Sequence, residues 1–363
     1  MGVRLALSAA ILALLLPSAA AARSVPHGFY GMVYDGSVTS APADVQSAQF
    51  SRMARSGVET LRTVFSWSDA QPVQGGPIDF THTDLLVGEA AAHRIDLLPV
   101  VLYAPPWARR DSSLFNSPPS DNAGYTAYLQ ALVARYGPSG SFWAANPALP
   151  KRPLRTWQVW NEPQLRFQWN APGFAHDYGQ LLQASYKTLK AADPGCTVVL
   201  AGATNLSWQI IAQLYKQGGI HGFFDVVAVH PYTATPPHVA RIVQLVRRVM
   251  RSHHDARVPI WITELGFPAS KGKVRSKNTL QTTPRVAASR LTKTYTLLAR
   301  KRLVSRVYWY TWSSSYRGPD IFSFSGLFRF NGGLFHPQRQ LVAYVKSARK
   351  HEGCVKKSTG GCR

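Results

Sequence analysis

Apolar positions in this chain fall into short dense runs separated by longer stretches of mixed character. Eight runs are rich in Val, Ile, Leu and aromatic residues: 29–34, 60–67, 96–103, 156–160, 197–201, 226–230, 260–264 and 304–311. Most are nearly continuous rather than alternating, as expected of parallel strands covered on both faces. The stretches between them carry helical periodicity. Helices are predicted over 43–56, 83–93, 123–136, 174–192, 207–217, 238–253 and 284–302, and an eighth, 337–350, follows the last run. The 174–192 stretch is amphipathic and stops at Asp193-Pro194-Gly195, a strong helix terminator.

Eight strands interleaved with helices predict a closed (β/α)₈ barrel forming a single catalytic domain. The structural alternative is an open doubly wound sheet. Its phosphate-binding signature would be a glycine-rich loop after the first run, but Asp35-Gly36-Ser37 lacks that pattern, and no P-loop occurs elsewhere. The length of 363 residues accommodates a barrel of about 250 residues with insertions.

The first residues read differently. Arg4 precedes an apolar run, Leu5 to Leu16, too short to span a bilayer, and Ala20-Ala21-Ala22 offers a cleavage site. Residues 1–22 are therefore expected to be an export signal, 23–350 the barrel and 351–363 a tail. The expected location is outside the cell or in its envelope, with no transmembrane segment. Cys354 and Cys362 could pair in an oxidising compartment, while Cys196 sits in an apolar run as a buried free thiol. No Cys/His cluster has metal-ligand spacing, so neither metal nor cofactor is expected.

Charge adds a second question. Lys and Arg total 41 against 18 Asp and Glu, a formal net charge of +23. Arg241, Arg247, Arg248 and Arg251, Lys271, Lys273, Arg275 and Lys277, and Arg300 to Arg302 read as solvated outer faces. The other reading is attraction to an acidic glycan or an anionic envelope. No motif interleaves aromatics with these basic runs, so nucleic acid is not an expected partner.

The chain has five Glu, and two of them, Glu162 and Glu264, end apolar, Trp-bearing runs. In a barrel that end is where active sites are built. Two carboxylates flanking one bond suit glycoside cleavage: one protonates the leaving oxygen while the other attacks the anomeric carbon or activates water.

The segments TWQVWNEPQ around Glu162 and PIWITELGFP around Glu264 resemble the two signatures of clan A glycoside hydrolases, closest in phrasing to family 39 and family 5-like bacterial enzymes. The resemblance covers nearly all of the chain after residue 22 and implies a TIM barrel. It implies retention of configuration, with Glu162 as acid/base and Glu264 as nucleophile, and a poly- or oligosaccharide substrate. Asn161 would hold the sugar 2-hydroxyl. Arg62, in LRTVFSW, and Tyr232, in VAVHPY, would keep Glu264 ionised, and His230 matches the clan's His-x-Tyr pattern. Trp67, Trp107 and Trp312 are the expected sugar-stacking residues, and loops 109–122 and 313–326 the expected cleft walls. The competing functional readings are a non-catalytic glycan-binding barrel and an envelope protein held by its basic surface.

Overall fold

The computed structural model describes residues 23–35, 38–331 and 333–351. The expected export signal, 1–22, and the tail with Cys354 and Cys362 lie outside the described residues.

Eight parallel strands make the barrel: β1 (Tyr30–Val33), β2 (Thr60–Ser66), β3 (Asp96–Leu102), β4 (Thr156–Val159), β5 (Thr197–Val199), β6 (Val227–Val229), β7 (Ile260–Leu265) and β8 (Arg306–Trp309). Hydrogen bonding runs in the order β5-β4-β3-β2-β1-β8-β7-β6. Parallel bridges Val199–Val226 and Ala203–Val229 join the two ends and close the cylinder. Each strand lies inside or within a residue or two of a predicted run, because a strand covered on both faces leaves an unbroken apolar signal.

Helices pack outside. They are α1 (Ala43–Arg55), the short α2 (Trp67–Ala70), α3 (Thr81–Ala92), α4 (Asn122–Tyr136), the short α5 (Ser141–Ala145), α6 (Phe174–Ala192), α7 (Ser207–Gln213), α8 (Pro236–Ser252), α9 (Pro284–Lys301) and α10 (Arg339–His351). Their starts have local causes. Asp121 accepts hydrogen bonds from the backbone N–H groups of Ala123 and Gly124 at the head of α4. Thr283 caps α9, with Pro284 in its first turn. On α8 the buried stripe is Val239, Ile242, Val243, Val246 and Met250, while Arg241, Arg248 and Arg251 face solvent. Lys271, Lys273, Arg275, Lys277 and Arg300 to Arg302 are exposed too.

Three local differences from the sequence reading stand out. The 207–217 helix is α-helical only to Gln213 and continues as a π turn over Leu214–Gly218. Residues from Leu334 to Pro337 belong to a hairpin with Phe328–Asn331, so the last helix starts at Arg339. That hairpin joins Ser313–Ser314 in a small three-stranded sheet beside the barrel.

Strand side chains alternate between two apolar regions. Met32, Leu61 and Ile262 belong to the large core that includes the helices' buried faces, whereas Val33, Leu98, Val199, Ala228, Trp261 and Tyr308 form a separate, smaller cluster. Val33 pairs in register with Arg62, and Arg62 with Leu98, so a guanidinium sits at the level of the smaller cluster. Glu59 plays a structural part just before β2: it accepts from the backbone N–H groups of Gly28 and Tyr30 and pairs with Arg23. Cys196 is buried and unpaired, as expected. Among the described residues no helix is long and apolar enough to cross a membrane.

The packing assigns faces, and faces are testable. Leu291 on α9 is fully buried. Leu291→Ala is expected to lower unfolding free energy by about 2–5 kcal/mol, whereas Arg248→Ala on exposed α8 surface should change it by no more than about 0.5 kcal/mol. Urea denaturation of both variants measures the difference.

Candidate active site

Arg62 organises the mouth of the barrel. An ionised group in an apolar strand must be paired or it is not tolerated there. Its Nε donates to Gln158 Oε1 at 2.7 Å, Nη1 to Glu264 Oε1 at 2.8 Å and Nη2 to Asn161 Oδ1 at 2.7 Å. Gln158, the polar interruption in TWQVW, donates onward from Nε2 to the Leu200 carbonyl at 2.9 Å, which fixes its oxygen towards Arg62. Asn161 offers its oxygen to the guanidinium, which leaves its amide N–H groups as donors for another partner.

Glu264 lies in β7, and its other oxygen accepts a 2.9 Å hydrogen bond from the Tyr232 hydroxyl. Burial is the largest single influence on this carboxyl and opposes its charge. His230, the Arg62 guanidinium and the Tyr232 hydroxyl together outweigh it, so its pKa falls below the usual value. Burial, with the charge of Glu264 adding to it, holds the Tyr232 hydroxyl well above its own usual value, so Tyr232 stays a donor.

Glu162 follows β4 on a strained turn. Trp160 has φ 65° and Glu162 φ 43°, both left-handed and costly for residues with side chains. Glu162 Oε1 lies 2.6 Å from His230 Nδ1, and His230 Nε2 lies 2.9 Å from Thr263 Oγ1. A single hydrogen bond spans the first contact. The imidazole is walled in from beneath, because a β-carbon on Gly202 would overlap its ring.

Oxygens of Glu162 and Glu264 and a nitrogen of His230 all lie within 4.8 Å of one another. Among the described residues this is the one such grouping of His and carboxylate donors. A divalent cation there would sit against the Arg62 guanidinium, and Thr263 already engages the second imidazole nitrogen. The donor set fits a pair of reacting carboxylates better than a metal cage.

The pair opens on a cavity of about 770 Å³. Arg62, Asn161, Glu162, Tyr232 and Glu264, expected from sequence, all line it, and His230 buttresses it from below. The expected tryptophan platforms do not. Trp67 is fully buried at the start of α2, against Trp107, Tyr125 and Tyr128. Trp107 donates from Nε1 to the Gln71 carbonyl and packs edge-on against Trp67, outside the cavity wall. Trp312 is fully buried too, its Nε1 donating to Gln49 on α1 and its ring against Phe328. Past the end of β8 strict alternation no longer holds: Tyr310 faces the cleft, whereas Trp312, two residues on, turns to the helix layer. Aromatic surface at the cleft comes instead from Tyr103, Phe167, Tyr310 and Phe322. Of the expected wall loops, 313–326 contributes Asp320 and Phe322, while 109–122 does not line this cavity and reaches a neighbouring pocket through Phe115.

Asp35, just after β1, also lines the cavity and was missed by sequence reading, as were Gln158 and Thr263. Its Oδ1 accepts from the Thr311 hydroxyl at 2.6 Å. Burial, the largest influence, and the nearby Glu264 charge push its pKa up to about 6.

A closed parallel barrel whose mouth holds a carboxylate kept below its usual pKa, beside a second hydrogen-bonded to an imidazole, has the groups that acid–base and nucleophilic chemistry needs. Residues 141–337 match the family model of the glycosyl hydrolase catalytic core, and the chain belongs to that family. Similar folds include a family 39 glycoside hydrolase from the gut symbiont Bacteroides cellulosilyticus WH2, at 21% identity and TM-score 0.66, covering 91% of this chain and 65% of that one. A monomeric beta-xylosidase from Caulobacter crescentus CB15 is similar at 19% identity and TM-score 0.66, over 90% of this chain and 69% of that one. A GH53 catalytic domain from Ignisphaera aggregans is 17% identical, with TM-score 0.57, over 88% of this chain and 96% of that one. The chain thus spans just under two thirds of the first of these relatives. No curated protein matches it in sequence.

The wall beneath the imidazole gives a direct test. Gly202→Ala is expected to displace His230 from Glu162 and to lower kcat/KM at least about tenfold, equivalent to about 1.4 kcal/mol of barrier. Thermal unfolding measured alongside the kinetics separates this from loss of fold.

Proposed function

We propose that this protein is a retaining glycoside hydrolase that acts on a poly- or oligosaccharide by double displacement. The observation that carries the reading is the approach of Glu162 and Glu264 oxygens to within 4.8 Å across one cavity. Retaining pairs stand about 5–5.5 Å apart, whereas inverting pairs need about 6.5–9.5 Å to admit a water.

In the first step the Glu264 carboxylate attacks the anomeric carbon. Glu162 gives its proton to the glycosidic oxygen, the carbon–oxygen bond to the leaving group breaks, and a glycosyl ester on Glu264 remains. The charge of Glu264 is lost in this step, so Glu162 becomes the stronger base. In the second step Glu162 takes a proton from water, the oxygen attacks the anomeric carbon, and Glu264 leaves as carboxylate. The Asn161 amide, turned by Arg62, donates to the sugar 2-hydroxyl. The proton taken from water returns Glu162 to its starting state, and His230 holds the carboxyl in place through the 2.6 Å contact.

Export supports a substrate outside the cell: we propose that residues 1–22 direct secretion and are removed. Amino-terminal sequencing of the protein recovered from the medium tests this.

Variants, product stereochemistry and a pH profile test the chemistry. Glu264→Gln is expected to abolish turnover, Glu162→Ala to spare substrates with good leaving groups, and NMR of the first-formed anomer to give retained configuration; an inverted first product overturns double displacement. Arg62 helps hold the Glu264 pKa down. Arg62→Gln should therefore raise that pKa, and the acid limb of the kcat/KM profile should move to higher pH, because the nucleophile must be ionised to attack.

A further inference from the structure

The net charge of the chain favours acidic polymers, but its cleft does not. The catalytic cavity is lined by four carboxylates, Asp35, Glu162, Glu264 and Asp320, and one guanidinium, Arg62. Each Arg62 nitrogen already donates, to Gln158, Glu264 and Asn161. A sugar bearing a carboxylate needs a cationic or N–H partner when it leaves water, and among the described residues the one cation lining this cavity is already paired with Glu264.

Asp35 stands at a junction. It lines both the catalytic cavity and a neighbouring pocket of about 360 Å³, and the two share Tyr34, Thr63, Val64 and Tyr103. The second pocket holds Asp69 and Asp79 and touches neither Glu162 nor Glu264. Tyr310, which hydrogen-bonds Asp35, packs edge-on against Tyr232, the donor to Glu264, so Asp35 stands on the nucleophile's side of the cavity. Thr311 and Tyr310 hydrogen-bond its carboxyl. A carboxylate offers about four lone-pair sites, which leaves acceptors free on the cavity side.

We propose that Asp35 is a specificity-determining residue, accepting hydrogen bonds from hydroxyls of the sugar on the glycone side of the cleft and excluding uronic acids there. This rests on the hydrolase reading above and narrows its substrate to neutral glycans. The groups that face Asp35 are Glu264 from β7, Arg62 from β2, Tyr310 and Thr311 beyond β8, and Tyr103 beyond β3. Glu264 keeps its charge and the tyrosine hydroxyls stay protonated near neutral pH. Asp35, with its pKa at about 6, is the group among these that changes charge just below neutrality.

Matched glycans that differ only at C6 isolate the effect: cellotetraose against tetra-β-1,4-glucuronate, and mannotetraose against tetra-β-1,4-mannuronate. Calorimetry with the wild type near pH 7.5 should give at least one neutral member about tenfold tighter than its uronate partner, a difference of about 1.4 kcal/mol. The gap should shrink near pH 5, where Asp35 is protonated while uronates, like α-carboxyls of pKa about 3.5, stay charged. Asp35→Asn, which keeps an oxygen for Thr311, should show the small gap at both pH values. Tighter uronate binding, a gap indifferent to pH and to the substitution, or no binding of any of the four overturns the proposal. Hydrolysis of the same glycans is read separately. The predicted gap without cleavage removes the hydrolase reading and leaves Asp35 in its role; cleavage without the gap does the reverse.

Discussion

A guanidinium inside a barrel survives only if its charge is answered, and the answer here builds the site. Arg62 reaches β4, the turn after it and β7 with three separate nitrogens. Each bond also orients its acceptor. Gln158 is pinned between Arg62 and a backbone carbonyl, Asn161 is turned amide-outward, and Glu264 is held ionised at the cavity floor. Removing the cation would leave a buried carboxylate and two amides without their common partner, a loss that exceeds any single hydrogen bond.

The parts that could be read from sequence and the parts that could not divide along physical lines. Strands buried on both faces announce themselves, so all eight were legible. Glu162 and Glu264 were legible because carboxylates are rare at the end of apolar runs and rarer in a chain with so few Glu. Arg62 carried the same signal, an ion where none is expected. Gln158 gave it too, but more weakly, since an amide in a strand is less costly than a charge. Asp35 and Thr263 depended on which strand ends meet across the mouth, which no local window contains.

The tryptophans illustrate the opposite limit. A large aromatic beside a catalytic motif suits both sugar stacking and core packing. Trp312 and Trp67 pack, each with its indole N–H donating to a glutamine, because both lie just past a strand end, where the chain turns them to the helices. Net charge and local charge also differ. Apart from half-buried Arg247, which donates to the Ala256 and Val258 carbonyls, the described basic runs lie on exposed surface, while the cavity carries four carboxylates. A whole-chain sum says little about the local potential a substrate meets.

The short segment after β6 has an effect out of proportion to its size. His230 grips one of the two glutamates and Tyr232 the other, with one proline between them. The two carboxylates arise on opposite sides of the cylinder, yet a single tripeptide touches both like the jaws of a caliper. The gap that selects between two stereochemical courses is therefore gauged locally, and small breathing of the cylinder need not alter it.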